Sequence, residues 1–200
     1  MIHIELMPEP ANFNAEVREP GNRFLILVPN PTKKQWRVNH YWMHCRSDLY
    51  RSYHGICAYT GLWFPKLSAT VDHFMPKSKY PQKAYEWNNF RLSCEKANNN
   101  KGNNEILDPF SISPDWFQLD FPSLLVKANP HLLRDEKSFI KETIDILKLN
   151  TEDFIDTRQY WLMFYIENLD FDHLERYAPF IAYELRRQNL KTRIVEMMRF

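Results

Sequence analysis

The sequence predicts an α+β protein in which a strand–strand–helix finger is embedded between an N-terminal helical segment and a C-terminal helical region. Two observations predict it. Between residues 56 and 105 the apolar runs are short, turn residues recur, and polar side chains gather at the ends of the runs. After residue 132 the apolar positions switch to three-to-four spacing, the period of an amphipathic helix. These changes divide the chain into an N-terminal arm and helix at 1–54, the finger at 55–105, and a mostly helical region at 106–200.

The elements follow in order. Residues 1–30 are rich in Pro and Asn and read as irregular, with Phe24–Val28 as a short buried strand or extended arm ended by Pro29. Pro31 and Thr32 can start a helix that runs from Lys33 to about Tyr53, with Gly55 to end it. Ala69 to Phe74, with β-branched Thr70 and Val71, predicts a strand. Pro76 to Asn88 reads as a polar loop, and Asn89 to Ser93 as a second strand alternating Phe90 and Leu92 with polar neighbours. Ser93 can cap a helix that reaches about Lys101 and stops at Gly102. Phe117–Phe121 and Leu124–Val126 can pair as a small hairpin. Helices are then expected through Phe139–Leu147, from Thr151 through Ile166, over Leu169–Tyr177, and from Pro179 through Leu185, Leu190 and Ile194 to the C-terminus.

Composition narrows the functional classes. A chain of 200 residues suits one domain or one domain with an appendage. No apolar run approaches the ~20 residues of a membrane span. The first residues lack a basic segment and a long apolar run, so no signal peptide is expected and a soluble cytoplasmic protein is the default. Three cysteines, Cys45, Cys57 and Cys94, do not make a disulfide framework. A net charge of +1 is not the footprint of a protein that coats nucleic acid with its whole surface. Any phosphate binding must be local, and Lys77, Lys79, Lys83, Arg91, Lys96 and Lys101 cluster in sequence to supply it.

The segment that carries chemistry is Ala69-Thr-Val-Asp-His-Phe-Met-Pro-Lys77, followed by Asn88-Asn89-Phe-Arg-Leu-Ser-Cys94 and Asn98-Asn99-Asn100-Lys101. Phosphodiester hydrolysis needs an activated water, a cation to neutralise developing charge, and groups that hold the phosphate. A neutral imidazole can act as the base near pH 7. A carboxylate and a side-chain amide offer oxygen donors to a hard cation such as Mg²⁺ or Mn²⁺. Asp72 and His73 are adjacent, so in a regular strand they point to opposite faces, and a strand end near Phe74-Met75-Pro76 must let them converge.

The segment resembles the HNH endonuclease family, whose ββα-metal finger carries Asp-His, then Asn-Leu, then Cys-x-x-Cys-His or Cys-x-x-Cys-Asn with a Lys three residues on. Here the pattern is Asp72-His73, Asn89-Phe90, and Cys94-x-x-Ala97-Asn98 with Lys101. The resemblance implies a metal-dependent endonuclease acting on DNA. His73 would be the general base and Asn89 would brace it from the loop. Asp72 and Asn98 would hold one divalent cation. Lys77, Lys79, Arg91 and Lys101 would serve the substrate phosphates. Ile56-Cys-Ala-Tyr-Thr60 and Tyr85-Glu-Trp-Asn88 further resemble the HNH components of bacterial anti-phage systems such as Septu and certain retrons. Those work beside an ATPase or sensor protein, so such a partner is expected.

The chain departs from the family in its cysteines. Each Cys-x-x-Cys knuckle keeps only its first cysteine, with Thr60 after Cys57 and Ala97 after Cys94. Two thiolates, even with His54, do not complete a tetrahedral site, so no structural zinc is expected. Blander readings stand beside the sharp ones. The lysines of the loop can be solvated charges. His40 and His44 share a helical face without making a metal site. Arg186, Arg187, Lys191 and Arg193 can be a solvated helix face. The alternatives to a competent nuclease are a catalytically silent nucleic-acid-binding or scaffold module, and a nuclease latent until an ATPase or sensor engages it.

Overall fold

In the computed structural model, which describes residues 1–197, the chain divides into two units. One comprises residues 5–57 and 64–105; the other comprises residues 1–4, 58–63 and 106 onward.

The first unit holds the finger. Its opening segment is helical: α1, Glu19–Leu27, follows a short π-helical turn over Asn14–Arg18. Phe24–Leu27 is therefore helical rather than extended, with Val28 as the C-cap. Val17, Gly21 and Phe24 recur at helical spacing, and Phe24 packs edge-on against Trp36 at 5.8 Å between ring centroids. Gly21 lets the helix approach Tyr85 closely: a Cβ there would lie 2.1 Å from that ring.

The long helix expected from Lys33 is instead three pieces. Thr32 caps α2, Lys33–Val38, through a reciprocal bond pair with Gln35. Asn39 is its C-cap, and its backbone N–H and its Nδ2 both donate to the Gln35 carbonyl at 3.0 Å. A 3₁₀ segment, Tyr41–Cys45, precedes α3, Arg46–Ser52. This break takes His40 and His44 off a common helix.

β1, Ala69–His73, pairs antiparallel with β2, Phe90–Cys94, in the register Ala69↔Cys94 through His73↔Phe90. The loop between them carries 3₁₀ turns at Pro81–Lys83 and Trp87–Asn89. α4, Glu95–Lys101, follows directly. Cys94, not Ser93, is its N-cap, and the Ser93 hydroxyl donates to the Cys94 carbonyl instead of capping the helix. Gly102, at φ +54°, ends α4 as the sequence predicts. Tyr85, Phe90, Leu92 and Ala97 form the core around the hairpin.

The second unit carries the predicted hairpin, with β3, Phe117–Leu119, antiparallel to β4, Val126–Ala128. Helices follow: α5, Arg134–Leu147; α6, Glu152–Asn168; α7, Phe171–Tyr177; and α8, Pro179–Arg187. The last expected helix does not run on unbroken. It ends at Arg187, Asn189 adopts a positive φ of 55°, and a separate short turn, α9, covers Ile194–Met197; residues 198–200 of the expected helix lie outside the described residues. Buried Glu184 accepts from the Leu119 backbone at 2.8 Å and so anchors α8 to β3. Among the described residues no helix is long and apolar enough to cross a membrane.

Candidate active site

Strand alternation decides which side chains share a face. On β1, Thr70 and Asp72 point one way beside their cross-strand partners Ser93 and Arg91. Val71 and His73 point the other way beside Leu92 and Phe90. α4 addresses the first face through two residues one helical turn apart. Asn98 Nδ2 donates to Thr70 Oγ1 at 2.9 Å. Lys101 Nζ donates to Asp72 Oδ1 at 3.2 Å and to the His73 carbonyl at 2.8 Å, and lies 3.2 Å from Asp72 Oδ2. The Lys101 and Asp72 side chains are 0% and 4% exposed, so this ion pair is screened little by solvent. Burial lowers the Lys101 pKa and the Asp72 charge opposes that shift.

The His73 ring lies edge-on against Trp42 and Phe90, at 4.8 and 5.3 Å between ring centroids. Its Nε2 is 2.9 Å from the Ala84 carbonyl oxygen. A carbonyl can only accept, so Nε2 carries the proton and Nδ1 keeps its lone pair. Burial first, then the Lys77 charge, hold the imidazole well below its ordinary 6.5; the Ala84 carbonyl opposes them and Lys101 adds a further downward push. The ring is therefore neutral near pH 7, with the proton on Nε2 fixed by the fold.

Asn89 organises the loop that holds His73. Its Oδ1 accepts from the Met75 backbone at 2.8 Å, and its Nδ2 donates to the Met75 and Lys83 carbonyls at 3.1 and 2.9 Å. Lys83 immediately precedes Ala84, whose carbonyl accepts the hydrogen bond from His73 Nε2. Both ends of the loop are thus tied to one amide placed just before β2.

The phosphate-binding candidates separate. Lys77 lies with its ammonium 4.9 Å from the centre of the Trp42 ring, and it interacts with the Asp72 charge. Lys79 is exposed and pairs with Glu105 at 3.3 Å. Arg91 and Lys101 require correction as surface contacts for a substrate. Arg91 is 2% exposed, donates through Nη1 to the Asn88 and Phe90 carbonyls, and covers the Phe74 ring. Its register position opposite Asp72 turns it inward. Lys101 is drawn into the interior by the Asp72 carboxylate. Sequence reasoning did not single out Thr70, Trp42 and the Ala84 carbonyl. Thr70 was legible from strand alternation with Asp72; Trp42 and Ala84 join the site only through tertiary packing.

The half-knuckle cysteines meet. Cys57 and Cys94 lie in hydrogen-bonding reach, and that contact, with burial, raises the Cys94 pKa. Cys57 Sγ also lies 3.8 Å from Ser93 Oγ. Two neutral thiols here pack the base of the hairpin.

A divalent cation can be tested against the donors present. Asn98 donates its Nδ2 to Thr70, whose side chain lies on the strand face that carries the Asp72 carboxylate, so Oδ1 is the atom Asn98 could offer to a cation. No cluster of three or more His, Cys, Asp or Glu that could hold a metal ion occurs among the described residues. A carboxylate and an amide oxygen are the donor types that Mg²⁺ or Mn²⁺ would take, with Lys101 to be displaced from Asp72.

The model of the HNH endonuclease family matches residues 56–104. The HNH stretch contains β1, β2 and α4, and with them Asp72, His73, Asn89 and Asn98. The chain is also similar to the Septu protein PtuB of Bacillus thuringiensis, at 34% identity over 83 residues. The matched stretch is 42% of this chain and 31% of that protein, so the chain spans about a third of that relative's length.

Proposed function

We propose that the protein is a metal-dependent endonuclease that hydrolyses DNA phosphodiester bonds, with His73 as the general base, in bacterial defence against phage or foreign DNA. The observation that carries this reading is the bond from His73 Nε2 to the Ala84 carbonyl, within a stretch that matches the HNH family. It leaves Nδ1 to accept a proton from water as that water attacks phosphorus. Asn89 acts as a positioning residue, because it fixes the loop that carries Ala84. Asp72 and Asn98 would hold Mg²⁺ or Mn²⁺. Such an ion neutralises charge developing on the phosphate and the leaving oxygen. Lys77 and Lys79 approach the substrate backbone, while Arg91 and Lys101 support the site from inside.

The test is cleavage of plasmid DNA across Mg²⁺ and Mn²⁺ concentrations by the wild type and His73→Ala. Cleavage by the wild type and loss of cleavage in the variant are expected. Full activity in the variant would remove His73 from the role of base, and an inert wild type that binds DNA would favour a silent binding module.

A second reading is supported by one observation. Lys101 already occupies the Asp72 carboxylate, so cation binding must compete with a buried ammonium. A nuclease latent until an ATPase or sensor partner engages it fits that arrangement and the similarity to a Septu protein. Cleavage that appears only when such a partner is added would support it.

A further inference from the structure

Beside His73 the finger unit opens a cleft of about 700 Å³, lined by Lys33, Trp36, Arg37, His40, Trp42, Met43, Lys77, Ser78 and Asn103. We infer that this cleft receives an unpaired base of the DNA strand being cut, so that the protein prefers single-stranded or locally opened DNA. The inference rests on the nuclease reading above and names the form of its substrate.

The lining has two chemical parts. Trp36 and Trp42, both largely buried, close the floor, and the exposed Met43 side chain makes an apolar wall. Lys33, Arg37 and Lys77 supply positive charge, His40, Ser78 and Asn103 supply polar groups, and no carboxylate lines the cleft. An apolar floor with a cationic rim is complementary to a base attached to a phosphate. A neutral small molecule would leave that charge unused. In a duplex the base faces are stacked and only groove edges are presented, so an apolar floor gains nothing from paired DNA. The volume lies in the ~300–1,000 Å³ range of small-molecule sites, enough for a nucleotide and too small for a double helix.

The position ties the cleft to catalysis. Trp42 forms its floor and also packs edge-on against the His73 ring, at 4.8 Å between centroids. Lys77 lies in the cleft while interacting with the Asp72 charge. A strand whose base sits on this floor therefore runs its phosphate towards the residues proposed for hydrolysis. The near-neutral net charge of +1 agrees with recognition by a local site.

The test is binding of the whole protein, with metal removed by chelation, to three labelled probes of equal length: oligo-dT, an abasic strand and a duplex. Fluorescence anisotropy should show oligo-dT bound about fivefold or more tightly than either of the others. Arg37→Glu and, separately, Lys33→Glu should erase that preference. Both positions are exposed, and circular dichroism with thermal melting checks that the fold persists. Equal affinity for oligo-dT and the abasic strand would overturn the inference, because the cleft would then read phosphate alone. Duplex bound as tightly as oligo-dT, or a preference unchanged in both variants, would also overturn it while leaving the nuclease proposal standing. Failure to bind any probe would overturn the cleft, while plasmid cleavage decides the nuclease proposal separately.

Discussion

Lys101→Met tests how the ion pair and the cation share Asp72. Methionine keeps most of the buried stem, so the substitution removes charge without opening a large cavity. It deletes an ammonium that lies 3.2 Å from both Asp72 oxygens and 2.8 Å from the His73 carbonyl, in a pair whose side chains are 0% and 4% exposed. Removing one partner of a buried pair costs about 3–5 kcal/mol, because the other charge stays buried. Lys77 still interacts with Asp72 and offsets part of this, so the lower end, about 3 kcal/mol, is expected. For a chain of this size that corresponds to a fall in Tm of about 6–12 °C. The second half of the prediction concerns metal. In the wild type, Mg²⁺ and Lys101 compete for one carboxylate; in the variant they do not. Saturating Mg²⁺ should raise the Tm of the variant more than that of the wild type, by up to about 2.7 kcal/mol of added stability at a hundredfold excess over Kd. Calorimetric melts of both proteins with and without Mg²⁺ provide the measurement. A cost below about 1 kcal/mol, the value of an exposed pair, would refute the buried-pair reasoning. Equal Mg²⁺ shifts in the two proteins would refute Asp72 as the shared ligand.

Other outcomes follow from the same geometry. Because His73 is held below 6.5 in the fold, the acidic limb of the pH–rate profile should lie below pH 6.5; a midpoint above 6.5 would contradict the lowered base. The same shift makes the histidine's contribution to stability fully present above pH 6.5 and lost as pH falls towards the folded value, since the unfolded chain takes up the proton first. His73→Gln should flatten that part of a stability–pH curve. Asn89→Ala removes three hydrogen bonds to the Met75 and Lys83 backbone. It should cost about 2–4 kcal/mol in urea unfolding and slow cleavage under conditions where the variant stays folded; unchanged cleavage there would deny Asn89 its positioning role. Asn98→Ala should raise the Mg²⁺ concentration at half-maximal cleavage, and an unmoved titration would remove it from the cation site. Chelators stronger than EDTA should leave the apo melting temperature unchanged, since Cys57 and Cys94 alone do not make a zinc site; a clear fall would reveal a structural metal.

The finger was legible because its signals are local. Alternation of Phe90 and Leu92, β-branched residues in β1 and a glycine after Lys101 each act over a few residues, and all three elements formed where those signals lie. The helical region was legible by period. Phe24–Val28 misled because a short apolar run reads alike as strand or helix, and only its packing on Trp36 decides. The 33–53 segment misled because Asn39 leaves helical dihedrals as the C-cap of α2, a local backbone change that apolar spacing does not register.

The sequence by itself determined the residue types available to the site and their order: a carboxylate and an imidazole at the end of one strand, an amide before the next, and another on the helix that follows. Tertiary structure alone decided their states. It turned Arg91 and Lys101 inward, set Lys101 on Asp72, and brought the Ala84 carbonyl to His73, which fixed the proton on Nε2. It also joined α2 and the 3₁₀ segment after it to the loop at Lys77, making a cleft from residues up to 70 positions apart. The physical reason is that side-chain identity is a property of the chain, whereas burial, protonation and charge pairing depend on which neighbours exclude water from each group.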